Sequence, residues 1–349
     1  VANTVVGVDI GSSSLRAVEV SDADKARPTV LRVYEAALPE GAVSRGEVLE
    51  ANTVASVLKQ VWSKGGFKSK NVVLGMGNQR VLSRDLTVPK MSLRRIRESL
   101  PFQVQDLLPV PVADALLDFY PVSESEGENG PVVHGLLIAA VKDAVLGNVK
   151  AVQLAGLSPV EVDLIPFALC RVLLTRPKVE TTTALIDVGA STTTVVVATN
   201  GVPQFVRIIP SGSDDLTQAL VTRLELTPQD AATTKISLGR ATQVSSVEEQ
   251  RAVEVIYEVT NELLVSLRNT VNYFANTRPQ DPVRQVVLTG GGAATQGFAH
   301  ALGEMVRIPV VMGDPFQSVA LSRSLKADEL RSSASAMTVA LGLALGSNV

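Results

Sequence analysis

A repeat inside the chain restricts its fold more than any other feature. VVGVDIGSSSLRAVEV at residues 5–20 and TALIDVGASTTTVVVA at residues 183–198 share one pattern: an apolar strand, Asp-x-Gly, a run of small hydroxyl residues and a second apolar strand. A short apolar run bounded by turn residues reads as a buried strand, and glycine at the bend, Gly11 or Gly189, permits a tight turn. Residues just past such a turn present backbone N–H groups and hydroxyls to an anion, and a phosphate fits there. Each copy also sets a carboxylate at its strand end, Asp9 and Asp187; facing each other across a cleft, the two suit a divalent cation that holds phosphates. A third element, VVLTGGGAATQGF at residues 286–298, runs from a strand through Gly290, Gly291 and Gly292 into a helix. Successive glycines let the backbone approach a flat base or a ribose. One such hairpin alone is equally an ordinary turn, and a glycine run alone is equally a linker, but linkers are not introduced by a strand as apolar as VVL. Together the three point to a nucleotide.

The bulk properties agree with a globular, two-domain chain. Its 349 residues are 46% hydrophobic, with a mean hydropathy of +0.23. Lys plus Arg number 32 against 35 Asp plus Glu, so the net charge of −3 gives no sign of a nucleic-acid partner. The single cysteine, Cys170, lies in the apolar helical stretch LIPFALCRVLL and reads as a buried, inert thiol in a reducing compartment. No secretory signal is read at the start, and no apolar run approaches the ~18 residues that span a bilayer, so a cytosolic location is expected. His134 and His300 have no ligand-spaced partners, and Trp62 reads as a packing residue.

Along the chain, a third strand is expected over 29–38, an amphipathic helix over 51–64, and strands at 72–75 and 81–88, completing an α/β half-domain. Ser92 then caps a helix that Pro109 and Pro111 end before a strand at 115–120. The polar SESEGENG, 123–130, reads as an exposed loop leading to a strand at 132–141, which makes a small β-α-β-β insert. Asp143 is expected to cap a helix to residue 155, followed by a strand at 160–163 and a helix over 166–174. The second half repeats the hairpin, adds a strand at 203–209, and starts helices at Ser213 or Asp214 and at Thr227-Pro228. A long helix over 247–276, a strand at 286–289, a short helix, a strand about Val310 and a closing helix over 335–345 finish it. The expected architecture is α/β, with two α/β domains around a nucleotide cleft and a small α+β subdomain inserted in the first. The first domain is placed at 1–178, with its insert at about 89–141. The second is placed at 179–349, with an upper subdomain at about 213–270 and with 320–349 packing back onto the first.

The pattern resembles the actin-like ATPase superfamily over essentially the whole chain. The two Asp-x-Gly hairpins resemble its phosphate motifs, TGGGAATQGF its adenosine motif, and GLSPVEVDLIPFALCRVL and ASAMTVALGLAL its two connecting helices. Within it, the insert PKMS…E…P-x-P…LDF-Y and the ending at GLALGSNV resemble the PilM family of cytoplasmic type IV pilus assembly proteins. The resemblance implies a duplicated, ribonuclease H-like fold that binds ATP and Mg²⁺, with Asp9 and Asp187 on the metal side. Gly11, Ser12, Ser13, Ser14 and Arg16 are implied on one side of the phosphates, Gly189, Ser191, Thr192, Thr193 and Gly212 on the other. Lys235 and Gly290, Gly291 and Gly292 are implied at the ribose and base. Where relatives carry a Gln or Glu that orients the attacking water, this chain has Ile165, and the alternation in VEVDLI points Asp163 elsewhere; no catalytic residue is assigned, and at most weak ATPase activity is expected. The implied role is a scaffold at the inner face of the membrane. It would hold the cytoplasmic N-terminal peptide of a PilN-like bitopic membrane protein between the first core subdomain and the insert, and meet other pilus platform components. Self-association is left open. The alternatives are an FtsA-like filament-forming cell-division protein, against which the expected lack of a membrane-targeting tail counts, and a small-molecule kinase, for which no substrate motif is read.

Overall fold

The computed structural model describes residues 4–346. The first half is built on a meander of β1 (Thr4–Ile10), β2 (Ser14–Ser21) and β3 (Thr29–Ala37). A short hairpin, β4 (Val43–Ser44) with β5 (Glu47–Val48), leads into α1 (Ala51–Gly65). The apolar face of α1, including Val54, Leu58 and Val61, is buried, and Gly66 ends the helix at a left-handed φ of 65°. Strand β6 (Asn71–Met76) then returns parallel to β1.

The chain next leaves this sheet for a separate one. Strands β7 (Val81–Pro89), β8 (Ala115–Gly127) and β9 (Gly130–Val141) pair in the order β7-β9-β8, and α2 (Leu93–Gln103) packs Ile96 and Leu100 against Val88, Phe119 and Leu137. Strand β7, expected in the first half-domain, therefore belongs to the insert sheet, upstream of the segment 89–141. The expected loop 123–130 is instead mostly strand: pairing continues through Ser125↔Val132 to Gly127↔Gly130. This hairpin end is largely exposed on both sides, so it lacks the apolar alternation that marks a half-buried strand. Helix α3 (Lys142–Leu154) starts after Val141, with Asp143 inside its first turn rather than capping it. Strand β10 (Ser158–Leu164) lies parallel to β6, and α4 (Ile165–Cys170) runs into a π-helical turn at Arg171–Thr175.

The second half repeats the plan with β11 (Thr183–Val188), β12 (Thr193–Thr199) and β13 (Val202–Ile209). Helices α5 (Ser213–Leu224), α6 (Pro228–Leu238) and the long α7 (Val247–Thr277) follow. The N-cap of α5 is Gly212, not Ser213 or Asp214, and Asp215 reaches back to accept the Gly212 N–H at 3.1 Å. One end of α7 packs with α5 and α6 through Ala252 and Ile256; the other lays Leu264, Leu267 and Phe274 on the sheet. Strands β14 (Gln285–Thr289) and β15 (Val310–Met312), with α8 (Phe298–Val306) between them, complete the order β13-β12-β11-β14-β15.

The chain then crosses back. Strand β16 (Ala320–Leu321) pairs with β3, which gives the first sheet the order β10-β6-β1-β2-β3-β16. After α9 (Ala327–Ser332), helix α10 (Ala334–Ala344) is buried at every position from Met337 to Ala344, as expected of a helix apolar all round. Two glycines make this fit. A Cβ at Gly7 on β1 would sit 2.0 Å from the Ala340 carbonyl, and one at Gly342 would sit 2.2 Å from the Ala168 carbonyl on α4. Backbone cannot give way as a flexible side chain can, so Gly7→Ala should destabilise the protein by about 2–3 kcal/mol, read by urea unfolding. Gly41→Ala serves as the contrast: its Cβ meets nothing within 4 Å, so its only penalty is that of a φ of 81°, about 1 kcal/mol.

Candidate functional site

The two repeated hairpins turn in the same way. Gly11 N–H donates to the Ser14 carbonyl at 3.0 Å and Gly189 N–H to the Thr192 carbonyl at 2.9 Å. A Cβ would come within 2.9 Å of the carbonyl at Gly11 and 2.8 Å at Gly189. The turns face each other across a cleft of about 370 Å³ between the two halves, into which both Asp9 and Asp187 open. Ser12, Ser13 and Arg16 line it from one side, and Ser191 and Thr192 from the other. The loops touch, Ser191 Oγ donating to Ser12 Oγ at 2.7 Å. Four of the expected site residues lie behind this lining. Ser14 is buried and closes its turn through its carbonyl; Thr193 is buried and donates to the Ser211 carbonyl at 2.7 Å. Gly212 lets α5 approach the second turn, since a Cβ there would meet the Ala190 carbonyl at 2.3 Å, and Gly292 sits under Val188.

The electrostatics of the cleft are unbalanced. Arg16 is shared between Asp9, at 3.3 Å, and Glu35, at 2.9 Å, and its Nε is buried without a hydrogen-bond partner. Burial raises the pKa of Asp9 against the opposing pull of Arg16. Among the described residues Asp187 makes no salt bridge, and burial together with the charge of Asp9 outweighs the pull of Arg16 and pushes its pKa up to about 7. Two desolvated carboxylates with one shared guanidinium form a donor set that a hydrated divalent cation fits. Among the described residues no cluster of three or more His, Cys, Asp or Glu forms a cage, so such an ion would keep water or phosphate as most of its ligands.

At the other end, Lys235 and the exposed Ile236 on α6 line the cleft beside Gly290 and Gly291. Gly290 has a φ of 91°, and a Cβ there would strike the Val188 carbonyl at 2.4 Å, whereas one at Gly291 would meet nothing within 4 Å. Lys235 Nζ is held by the Ser213 carbonyl at 3.2 Å and Thr217 Oγ1 at 2.7 Å. Sequence reasoning missed several lining residues: Asn78, whose amide bonds the Gly46 carbonyl at 2.9 Å, Asp214 beside Lys235, and Ser335 at the start of α10. Only the helix-start pattern at 213–214 and the quoted ASAMTVALGLAL carried a signal for the last two. Ile165 faces the cleft, packed where a Cβ on Gly75 or Gly77 would lie. Asp163 turns away. Its carboxylate accepts Leu164 N–H at 2.7 Å and Arg171 at 2.9 Å, and Arg171 also donates to the Gly342 carbonyl at 2.7 Å. Cys170 is buried, and burial pushes its thiol up to about 12. His134 lies between Thr87 and Ser125 hydroxyls at 2.9 and 2.7 Å, and Trp62 meets Phe67 in a tilted ring contact, centroids 5.1 Å apart.

A second, larger cavity of about 770 Å³ opens on the other side of α4. Its walls are β10 and α4 of the first sheet layer and β8 and β9 of the insert, with Tyr120 and Phe167 in ring contact at 4.6 Å. Among the described residues no helix is long and apolar enough to cross a membrane.

Comparison with known proteins identifies the architecture. The profile of the family described as type IV pilus assembly protein PilM matches residues 7–348. A solved PilM–PilN type IV pilus biogenesis complex superposes with a TM-score of 0.85 at 28% identity, covering 98% of this chain and 97% of that one. MreB5 of Spiroplasma citri, solved with AMPPNP bound, has a TM-score of 0.53 at 10% identity, covering 97% and 94%. Cell division protein FtsA of Bacillus subtilis is a distant relative, 21% identical over 89% of this chain and 78% of its own length. The fold is the actin-like one.

The raised pKa of Asp187 has a definite sign. The folded state keeps a proton that the unfolded state gives up near 3.8, so stability of the ligand-free protein falls as pH rises from about 4 to about 7. Asp187→Asn should flatten that fall and raise the melting temperature at pH 8 by several degrees, measured by calorimetry across pH 4–8 without nucleotide.

Proposed function

We propose that this chain, which belongs to the type IV pilus assembly protein PilM family, is an ATP-binding scaffold that docks the cytoplasmic N-terminal peptide of a PilN-like membrane protein. The observation that carries the nucleotide half is the pair of matching Asp-x-Gly turns opening into one cleft. Gly11, Ser12 and Ser13 would hold the terminal phosphates from one side, and Gly189, Ser191 and Thr192 from the other, with N–H groups and hydroxyls. Mg²⁺, when bound, would neutralise phosphate charge beside Asp9 and Asp187. Arg16 has a free Nε to turn toward phosphate, and Lys235, Ile236 and the glycines at 290 and 291 are the candidates for ribose and base.

Hydrolysis needs a group that orients water, and Ile165, at the position where the resemblance implies one, is apolar and lines the cleft. With Asp163 committed to Arg171, nothing on α4 takes its place. ATP is thus a retained ligand that stabilises the closed cleft by mass action. The docking half rests on the PilM–PilN complex, 28% identical to this chain, and on the 770 Å³ cavity between first sheet and insert. The partner's own membrane span would hold the complex at the inner face of the membrane.

Thermal unfolding with Mg-ATP tests the first half. At 100 times Kd, binding adds about 2.7 kcal/mol, so wild type should melt several degrees higher and Asp9→Ala should not respond. Phosphate release on the same samples should stay at about 10⁻³ s⁻¹ or below, the range of an uncompleted catalytic set. Absence of the shift sinks the nucleotide reading, and rapid turnover overturns the argument from Ile165.

A further inference from the structure

The cleft is short of positive charge for a triphosphate. Among the described residues its lining holds three aspartates, Asp9, Asp187 and Asp214, against two cations, Arg16 and Lys235. Arg16 keeps one N–H for phosphate, but its charge is already offset by Asp9 at 3.3 Å and Glu35 at 2.9 Å. Lys235 stands at the other end of the cleft, beside Asp214 and bonded to Thr217 at 2.7 Å. The hydroxyls and N–H groups of the two turns bind phosphate oxygens without neutralising them, so the terminal phosphate needs a further cation from the rim.

A hairpin at that rim carries one. Strands β4 and β5 pair Val43 with Val48 and Ser44 with Glu47, which leaves a two-residue turn, Arg45-Gly46, with φ of 47° and 78°. Two positive φ values belong to the type I′ turn, whose favoured pairs are Asn-Gly and Asp-Gly, so arginine brings the turn itself no advantage. Gly46 lines the cleft, and Arg45 next to it is exposed. Among the described residues the Arg45 guanidinium makes no hydrogen bond or ion pair; the acid on the same hairpin, Glu47, is taken by Arg80 at 2.6 Å.

The backbone under Arg45 is held from both sides. Ala42 and Val43 are buried in the core of the first half, and Leu38 N–H donates to the Ser13 carbonyl at 2.9 Å, which ties the approach to the hairpin to the first Asp-x-Gly turn. At the tip, Asn78 donates to the Gly46 carbonyl at 2.9 Å and accepts Arg80 N–H at 2.9 Å; it is only 3% exposed and lines the cleft as well. Asn78 follows Gly77, against which Ile165 packs, so the hairpin tip borders the corner that Ile165 fills.

We propose that Arg45 is a ligand of the terminal phosphate of the bound nucleoside triphosphate, presented by the β4–β5 hairpin from the rim of the cleft. This rests on the reading that the cleft holds a nucleotide. The anchored turn fixes where the side chain starts, and its long stem brings the planar guanidinium to the phosphate with two parallel N–H donors. A diphosphate ends one group short of that contact, so Arg45 favours triphosphate over diphosphate. An arginine at this point would speed hydrolysis if a water were aimed beside it; next to Ile165 it holds the unreacted triphosphate instead.

The test is calorimetric titration of the full chain with Mg-ATP and with Mg-ADP, comparing wild type with Arg45→Asn and Arg45→Lys. Asparagine suits a left-handed turn position, so the first variant keeps the hairpin. Arg45→Asn should weaken Mg-ATP binding about tenfold and Mg-ADP binding by no more than about twofold, the loss of one charge-assisted contact; Arg45→Lys, which keeps the charge, should lose less. If Arg45→Asn leaves Mg-ATP binding unchanged, weakens both nucleotides alike or is matched by Arg45→Lys, the phosphate role of Arg45 is overturned and the nucleotide reading stands. If wild type binds neither nucleotide, the nucleotide reading itself fails and the proposal with it.

Discussion

Helix α10 is the element on which the two halves depend. It comes from the far end of the chain, is buried from Met337 to Ala344, and fits only because Gly7 and Gly342 let backbone meet backbone on β1 and α4. Its first turn supplies Ser335 and Ala336 to the cleft, Thr338 bonds Thr289 of β14 at 3.0 Å, and the Gly342 carbonyl takes Arg171. One rigid rod therefore touches the first sheet, the second sheet and the turn behind the larger cavity. Small residues at its contacts trade side-chain burial for close approach, and van der Waals contact between backbones replaces it.

Helix α4 divides the two cavities along its length. Ile165 faces the cleft, while Phe167, Cys170 and Arg171 line the groove on the other side. The cleft side carries an electrostatic cost that the rest of the fold avoids. Glu19, nearly fully buried, is matched by Arg32 at 2.6 Å, whereas Asp187 is left with a like charge for a neighbour. A buried carboxylate without a salt bridge beside a second one is where the proposed divalent cation would offset charge.

The duplicated hairpins were legible because their signal is local: strand, carboxylate, glycine turn and hydroxyls lie within one short window, and the fold brings two windows together without changing either. The elements misread in sequence are those whose state is set from outside. Residues 123–130 are polar yet extended because each strand of the hairpin supplies the other's hydrogen bonds, and no apolar face is needed at an exposed tip. Strand β7 has the pattern of any half-buried strand, and only its pairing with β9 assigns it to the insert sheet. Asn78 gives no sequence sign of its place in the cleft, which follows from its bond to Gly46 in a hairpin far along the chain. Ser14 and Thr193 stand out for their hydroxyls, but each is the first residue of a buried strand: Ser14 closes its turn through its carbonyl, and the Thr193 hydroxyl donates to the Ser211 carbonyl at 2.7 Å while Thr192 closes the second turn.

In the proposed function, Ile165 is the residue that separates a motor from a clamp. Its side chain fills the space that side chains at Gly75 and Gly77 would take, so isoleucine and the two glycines form one fitted set. A polar side chain at this point would face the same glycine-lined corner with its hydrogen bonds to find; an aliphatic one packs there and keeps the corner dry. On the proposed reading, apolar surface beside two carboxylates would strengthen their hold on a hydrated cation and its phosphates while removing the means to aim a water at them. The same three residues thus favour retention of the proposed nucleotide over its turnover, which is what a scaffold requires of a ligand that keeps its halves together.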